Sequence, residues 1–276
     1  MIYKISDKNW KNLKPMEDSF GFSQDGNRIV VADGITRDPK GMPILPSMRN
    51  LIGMANFFIN YPRPSPAKVA ANLCSETFVK SSEKNSGEIL KEANRIIKEF
   101  NSRYFQQNGD LDYLENDYPA CVASGVVVEG EKMNWGFIAD CGVAVFDKNG
   151  NRKFQTKNEG PNSNGSIDED IIRRYKLKFS QPEGRRLIRS RYRNNPGNAL
   201  AYGALTGEQT AEHYIQTGEL KLSDGDLIAV YSDGVEDALK YPEFEKSIKR
   251  RDFKLMEDIC RNSIRSEGTL VARLIE

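Results

Sequence analysis

Acidic residues follow strand-like apolar runs at three distant points of this 276-residue chain, and an acidic pair precedes the first run. These acids are Asp33, Asp140, Asp233 and the pair Glu17-Asp18. Asp33 and Asp233 are each followed by glycine, and each motif alone is equally typical of a hairpin turn. Their repetition in order indicates instead that several carboxylates meet at one place.

Carboxylates that meet in one place need protons or cations. Two of them about 4 Å apart repel each other by roughly 4 kcal/mol at an effective dielectric constant near 20. Magnesium, manganese and calcium prefer carboxylate and water oxygens, so a hard divalent cation is the simplest partner. The strand ends therefore predict a carboxylate-lined, binuclear metal site.

Composition limits the other classes of function. The formal net charge is +1, which argues against nucleic-acid binding by the chain as a whole. The longest apolar stretch, residues 51–61, is interrupted by Asn56 and Asn60 and is too short to span a bilayer. The first residues contain no apolar core of signal-peptide length. We expect a cytoplasmic protein that binds neither nucleic acid nor membrane.

Cysteine and histidine chemistry is poorly represented. The four cysteines are widely separated and form no CxxC pair, a pattern typical of reduced thiols in the cytoplasm. His213, the one histidine, lies in a stretch that predicts a capped surface helix. Zinc sites of the usual kinds, and a triad that would depend on His213 alone, are disfavoured.

The remaining patterns predict an α+β domain. Short strands fill residues 1–36, and two amphipathic helices follow, beginning after Ser65 and at Ser86. Residues 120–128 and 132–146 read as two β-runs joined by a hairpin. A short helix is expected within 194–219, helix around 241–263, and a last strand over 269–275. Successive helices followed by an antiparallel meander argue against a doubly wound parallel sheet, and we expect one domain over 1–276.

A basic segment interrupts this pattern at about 151–195. It carries twelve lysines and arginines against five acids, a net charge of +7. Two interpretations remain open: a solvated, mobile insertion, or a basic flap beside the acidic site that helps to attract phosphorylated ligands.

The order of the motifs resembles the protein phosphatase 2C family of metal-dependent serine/threonine phosphatases. The likeness covers nearly the whole chain: Glu17-Asp18, Val31-Ala32-Asp33-Gly34, two helices, the strand ending at Asp140, and Gly225-Asp226-Leu227-Ile228 leading to Ser232-Asp233-Gly234. The family fold is a sandwich of two antiparallel sheets with helices on each outer face. The resemblance therefore implies a four-layer α/β/β/α sandwich.

The resemblance also implies roles for the acids. Asp33 matches a carboxylate that bridges two manganese or magnesium ions, and the Gly34 carbonyl matches a ligand beside it. Glu17 matches a ligand of one ion, with Asp18 supporting its water shell. Asp233 matches a ligand of the other ion. Asp140 matches the acid of a third, weaker metal position. The implied reaction is attack on phosphorus by a metal-activated water, without a covalent phosphoenzyme.

Three departures from the family pattern affect this site. The acid usual before the final strand is replaced by Ser266, and Glu267 is expected to reach the metal from the adjacent position. The phosphate-binding arginine usual four residues before Glu17 is Leu13. Lys14 and Lys11 lie close to it in sequence and could hold phosphate as point charges. The histidine-containing or glycine-rich continuation after Gly34 is absent, so no histidine is available there for the leaving group.

These features support three hypotheses. The first is a manganese- or magnesium-dependent hydrolase of phosphoserine or phosphothreonine in proteins. The second is a catalytically weak phosphatase-like domain that binds a partner or phosphopeptide, as the departures from the family pattern suggest. The third is a hydrolase of a small phosphorylated metabolite. The sequence indicates neither the physiological substrate nor the oligomeric state.

Overall fold

The computed structural model describes residues 1–10, 12, 14–35, 52, 55, 59–106, 116–178 and 181–276. The strands are β1 Ile2–Lys8, β2 Ser19–Phe22, β3 Arg28–Gly34, β4 Cys121–Glu129, β5 Lys132–Ile138, β6 Gly142–Phe146, β7 Arg152–Gln155, β8 Gln216–Lys221, β9 Leu227–Tyr231 and β10 Glu267–Leu274. The helices with defined bounds are α1 Pro66–Lys80, α2 Ser86–Gln106, α3 Ile167–Tyr175, α4 Pro182–Leu187, α5 Pro242–Arg250 and α6 Phe253–Ser263. Within these ranges no helix is long and apolar enough to cross a membrane.

The strands form two antiparallel five-stranded sheets. Sheet A has the order β1-β10-β9-β6-β7, and sheet B has the order β2-β3-β4-β5-β8. Helices α1 and α2 pack against sheet B, and α5 and α6 pack against sheet A. The predicted α+β, four-layer α/β/β/α sandwich is therefore confirmed.

Successive side chains of β3 point to opposite faces of sheet B, and this explains why its sequence is a continuous apolar run. Val30 and Ala32 pack towards α1 and α2, whereas Ile29 and Val31 pack towards the opposite sheet. Successive side chains of a strand point to opposite faces, and here both faces are buried. A central strand of a four-layer sandwich must be apolar at every position, and polar residues can enter only where it ends.

Local signals set the helix boundaries. The Ser65 hydroxyl accepts a hydrogen bond from the backbone N–H of Lys68 at 3.1 Å, which caps α1. The region predicted as helix over 241–263 is divided in two. Arg251 adopts a left-handed conformation that ends α5, and the Asp252 side chain caps α6 through the backbone N–H of Leu255.

Two further stretches differ from their predicted form. Residues 132–146 form two strands instead of one, because Ala139 has a φ of +66° and turns the chain from sheet B into sheet A. A loop and a short helix are expected over 194–219, but the chain begins strand β8, Gln216–Lys221, within this range. This strand pairs with β5 on one side only, and its exposed edge position removes the apolar alternation by which strands are recognised.

Candidate metal centre

Antiparallel pairing brings acids from distant parts of the chain to one end of both sheets. In sheet B, β2 begins where β3 ends, because Ser19 pairs with Ala32. In sheet A, β9 ends beside the start of β10, where Tyr231 pairs with Leu270. Neighbouring antiparallel strands start and finish at the same edge, so acids that precede one strand meet acids that follow its neighbour.

These acids share one cavity of about 500 Å³. Its lining includes the predicted ligands Glu17, Asp33, Asp140, Asp233 and Glu267, and two further acids, Asp117 and Asp168. Asp18 adjoins them: single oxygens of Asp18, Asp33 and Glu267 lie within 4.8 Å of one another. The structure thus brings together every acid that the sequence proposed as a ligand.

Burial and mutual repulsion raise the pKa values of this cluster. Burial raises the pKa of Asp33 well above its usual range, and the Asp18 and Asp233 charges raise it further. Burial is also the main reason for the raised pKa of Asp18 and of Asp233. Burial, reinforced by Asp18, raises the pKa of Glu267 to about 7. At neutral pH the cluster therefore requires protons or cations to balance its charge.

Glu17 is fixed in orientation by neutral donors. Its Oε1 accepts hydrogen bonds from the Tyr61 hydroxyl at 2.6 Å and from the Ser65 hydroxyl at 2.5 Å. Its backbone N–H donates to Oε2 of Glu267 at 2.7 Å. Supporting hydrogen bonds of this kind set the direction of a ligating oxygen. The sequence indicated Ser65 as a helix cap only, and no local signal marked Tyr61.

Asp18 is held on one oxygen and available on the other. Its Oδ2 accepts a hydrogen bond from the Ser232 hydroxyl at 2.8 Å, and the Ser232 oxygen accepts one from the backbone N–H of Thr269 at 2.9 Å. Oδ1 of Asp18 is buried and has no hydrogen-bond donor among the described residues. A buried carboxylate oxygen without a donor is costly unless a cation binds it. The site therefore fits an oxygen-preferring divalent ion.

Lys68 lies beside the cluster. The Lys68 ammonium, half-buried in the first turn of α1, donates to the backbone carbonyl of Asp18. Burial lowers the pKa of Lys68, although the charges of Asp18, Glu267 and Glu17 act in the opposite direction. The ammonium of Lys68 by itself offsets only part of the charge of these carboxylates.

The register of β10 decides which residue at its start can act as a ligand. Glu267 lies in the cluster and contacts the backbone of Glu17. The Ser266 hydroxyl instead accepts a hydrogen bond from the Asn12 side chain at 3.0 Å. The carboxylate has thus moved by one position relative to the family pattern and still reaches the other acids.

We expect Glu267→Gln to weaken manganese binding by at least roughly tenfold, the lower limit measured when even a supporting residue of a metal site is removed. The amide would lack the charge that a divalent ion needs. Titration calorimetry measures the dissociation constant. Ser266→Ala is the matched control and should stay within about twofold of the parent protein. Equal losses in both variants would mean that Glu267 has no special part in binding.

Gly234 sets the approach of Asp233 to the start of β10. A Cβ atom at position 234 would lie 1.8 Å from the backbone oxygen of Glu267. The short turn that follows β9 can pack against β10 only because this side chain is missing. The Asp-Gly motif after β9 thus reflects close packing of two backbones.

Gly234→Ala should destabilise the protein by about 2–3 kcal/mol, because backbone atoms on both sides would have to move. Urea unfolding measures this change. Gly197→Ala serves as the control, since the nearest atom to its Cβ would be Oδ1 of Asn195 at 3.4 Å. A small effect at 234 would contradict the packing described here.

Asp140 and Gly34 occupy crowded ends of their strands. Asp140 follows the left-handed Ala139, and a Cβ on Gly160 would lie 2.7 Å from the Asp140 Cβ. A Cβ on Gly34 would lie 2.6 Å from the carbonyl carbon of Ala67. Gly34 also lines the cavity. Glycine at position 160 lets its backbone lie against Asp140, and glycine at position 34 lets the Ala67 backbone lie against the end of β3.

The cations near the acids differ in part from those named from the sequence. Lys14 lines the cavity, whereas Lys11 lies outside the described residues. Three arginines of the basic segment, Arg185, Arg189 and Arg193, also line it. The net charge of the segment left open either a solvated insertion or a flap near the site, and no spacing singled out these three.

Comparisons with known proteins agree on the architecture. No protein-family model and no curated protein matches the sequence. The Mycobacterium tuberculosis serine/threonine phosphatase PstP/Ppp is 14% identical, with a TM-score of 0.59, over 100% of this chain and 99% of that chain. The PstP catalytic domain in complex with two manganese ions is 15% identical, with a TM-score of 0.53, over 100% and 98%. RsbX in complex with magnesium is 10% identical, with a TM-score of 0.52, over 98% and 92%.

All three structures share the two antiparallel sheets and flanking helices with this chain over nearly its full length. Identities of this size establish the architecture and leave the chemistry to be argued from the site. The chain has the fold of the PPM-type, or protein phosphatase 2C, serine/threonine phosphatases.

Proposed function

We propose that this protein is a manganese- or magnesium-dependent phosphatase that hydrolyses phosphoserine or phosphothreonine in proteins. The observation that carries the proposal is the convergence of six carboxylates from five strand ends, five of these carboxylates lining one cavity of about 500 Å³. The fold supports it, since structural neighbours include a phosphatase in complex with two manganese ions and RsbX in complex with magnesium.

The proposed ligands follow from the geometry of the cluster. The charges of Asp18, Asp233, Asp140 and Glu267 all raise the pKa of Asp33, and its carboxylate would hold both ions. Glu17, Asp18, Gly34, Asp233 and Glu267 would complete their coordination, and Asp140 would serve a third position. Bound divalent ions would lower the pKa of a coordinated water and offset the charge of phosphate oxygens.

The chain's other nucleophiles are poorly placed to compete with water. All four cysteines are free and buried, and burial raises the pKa of Cys141, which follows Asp140, well above its usual range. A buried neutral thiol is a weak nucleophile. His213 does not line the cavity. This arrangement supports direct hydrolysis over a phosphocysteine or phosphohistidine intermediate, and the free thiols support the proposal of a cytoplasmic location.

Hydrolysis of a phosphothreonine peptide tests the proposal. We expect turnover with manganese or magnesium, complete loss with a chelator, and recovery when manganese is added back. Sugar and nucleotide phosphates, tested in parallel, should be poorer substrates. Preference for one of these metabolites would favour the small-molecule hydrolase, and absence of metal-dependent turnover on every phosphate ester would refute the enzyme.

The alternative function is a phosphatase-like binding module with little catalysis. Ser266 at the usual acid position, and Leu13 in place of the usual arginine, favour it. Such a module would bind the phosphopeptide without hydrolysing it, and would bind fewer than two manganese ions per chain. Calorimetry with manganese, followed by peptide titration, separates the two functions.

A further inference from the structure

The cavity that holds the carboxylates has a second, basic wall. Arg185, Arg189 and Arg193 line it. They are four residues apart, on α4, on the π-helical turn Ile188–Tyr192 and on the residue that follows the turn. This spacing places the three arginines on one side of a continuous helical path. Turns of π-helix occur often at functional sites, where they redirect a side chain.

Two of these arginines are built into the wall. Arg189 and Arg193 are each only 4% exposed. Nη2 of Arg193 lies 2.7 Å from Oδ1 of Asp117, which is also buried and lines the cavity. A buried ion pair fixes a guanidinium in place and keeps it charged. The Arg193 side of the wall is thus pre-organised.

The segment that carries the wall packs around an apolar cluster of its own. Ile167, Ile171, Ile188, Tyr192 and Tyr202 form a small apolar cluster. The Tyr192 hydroxyl donates to Asp170 at 2.7 Å, and the backbone N–H of Tyr202 donates to the Tyr192 carbonyl at 3.0 Å. Of the two interpretations of the basic segment, this packing favours a flap that belongs to the site.

We propose that Arg189 and Arg193 bind the phosphate group of the substrate in the cavity that they share with the carboxylates. Guanidinium groups bind two phosphate oxygens at once, and a volume of about 500 Å³ is of the size that accommodates a small ligand or side chain. Phosphate bound there would be held between the ions and the arginines. This inference rests on the proposed function and names the phosphate-binding residues of that site.

Binding of radiolabelled inorganic phosphate to the manganese-loaded full chain, measured by equilibrium dialysis, tests the inference without turnover. Arg189→Gln should weaken phosphate binding roughly ten- to hundredfold, the size of a lost charge-assisted hydrogen bond. Arg189→Lys should fall between this variant and the parent, since lysine keeps the charge and loses the fork. Manganese affinity should be unchanged in both.

Arg191→Gln is the matched control, because Arg191 belongs to the same turn, is exposed and does not line the cavity. Equal phosphate affinity in the Arg189 and Arg191 variants, or no phosphate binding by the parent protein, would overturn the inference. If Arg189→Gln does not fold, Arg189→Lys against Arg191→Lys decides by the same criterion. Phosphate binding that depends on Arg189 without peptide hydrolysis would uphold the inference while refuting the proposed enzyme.

Discussion

Asp33→Asn is expected to abolish metal-dependent hydrolysis while leaving the fold intact. The substitution removes the central charge of the cluster, and Asn can offer only a neutral oxygen. We expect the rate on p-nitrophenyl phosphate to fall by about 10³-fold or more, because one such group contributes several kcal/mol to charge stabilisation in the transition state. Steady-state kinetics at saturating manganese measures the loss.

The same variant should be more stable than the parent protein when metal is removed. Burial and four neighbouring acids disfavour the Asp33 carboxylate, and the amide has no charge to desolvate. A raised pKa means that the ionised form of Asp33 costs free energy in the folded protein. We therefore expect the free energy of unfolding of Asp33→Asn to exceed that of the parent protein by at least about 1 kcal/mol at pH 8 with a chelator present. Asp224→Asn, at an exposed turn, is the control. Retained activity in Asp33→Asn would contradict the assignment.

The second large effect is the pH dependence of the metal-free protein. Glu267 has a pKa of about 7 in the folded protein, against an ordinary value of 4.5. Between about pH 4.5 and 7 the Glu267 carboxyl keeps its proton in the folded protein and loses it in the unfolded chain. Its contribution to the free energy of unfolding is therefore fully present below about pH 4.5. That contribution is lost as the pH rises through 7. Asp33, Asp18 and Asp233 are shifted in the same direction.

Thermal melts with a chelator between pH 4.5 and 8 should therefore show a falling melting temperature. Asp25 and Asp170 have pKa values of about 2, lowered mainly by hydrogen bonds from Ser23 and Tyr192, and their contributions are constant over this range. Glu267→Gln should flatten the fall. Manganese should reverse the fall, because binding at a hundredfold excess over the dissociation constant raises the free energy of unfolding by about 2.7 kcal/mol. A melting temperature that rises with pH without metal would contradict the buried cluster.

Strand ends were the most informative part of the sequence. The runs before Asp33 and Asp233 are apolar at every position because both faces of β3 and β9 are buried. An acid directly after such a run must lie at the edge of the sandwich. Topology then brings these edges together, and the resemblance to a known family indicated which topology to expect.

The supporting residues could not be predicted in the same way. Tyr61 and Ser65 contact Glu17 across 44 and 48 residues of chain. Arg189 lines the cavity from a segment that packs around an apolar cluster of its own. Contacts of this kind depend on packing between elements, and no periodicity or local motif records them.

Crystals grown with manganese test the central claim most directly, through anomalous scattering recorded at the manganese absorption edge. The carboxylate cluster should show two peaks, both within coordination distance of the Asp33 carboxylate and each contacting a further acid of the set Glu17, Asp18, Asp233 and Glu267. Crystals in which manganese binds elsewhere, or leaves this cavity without a peak, would contradict the account.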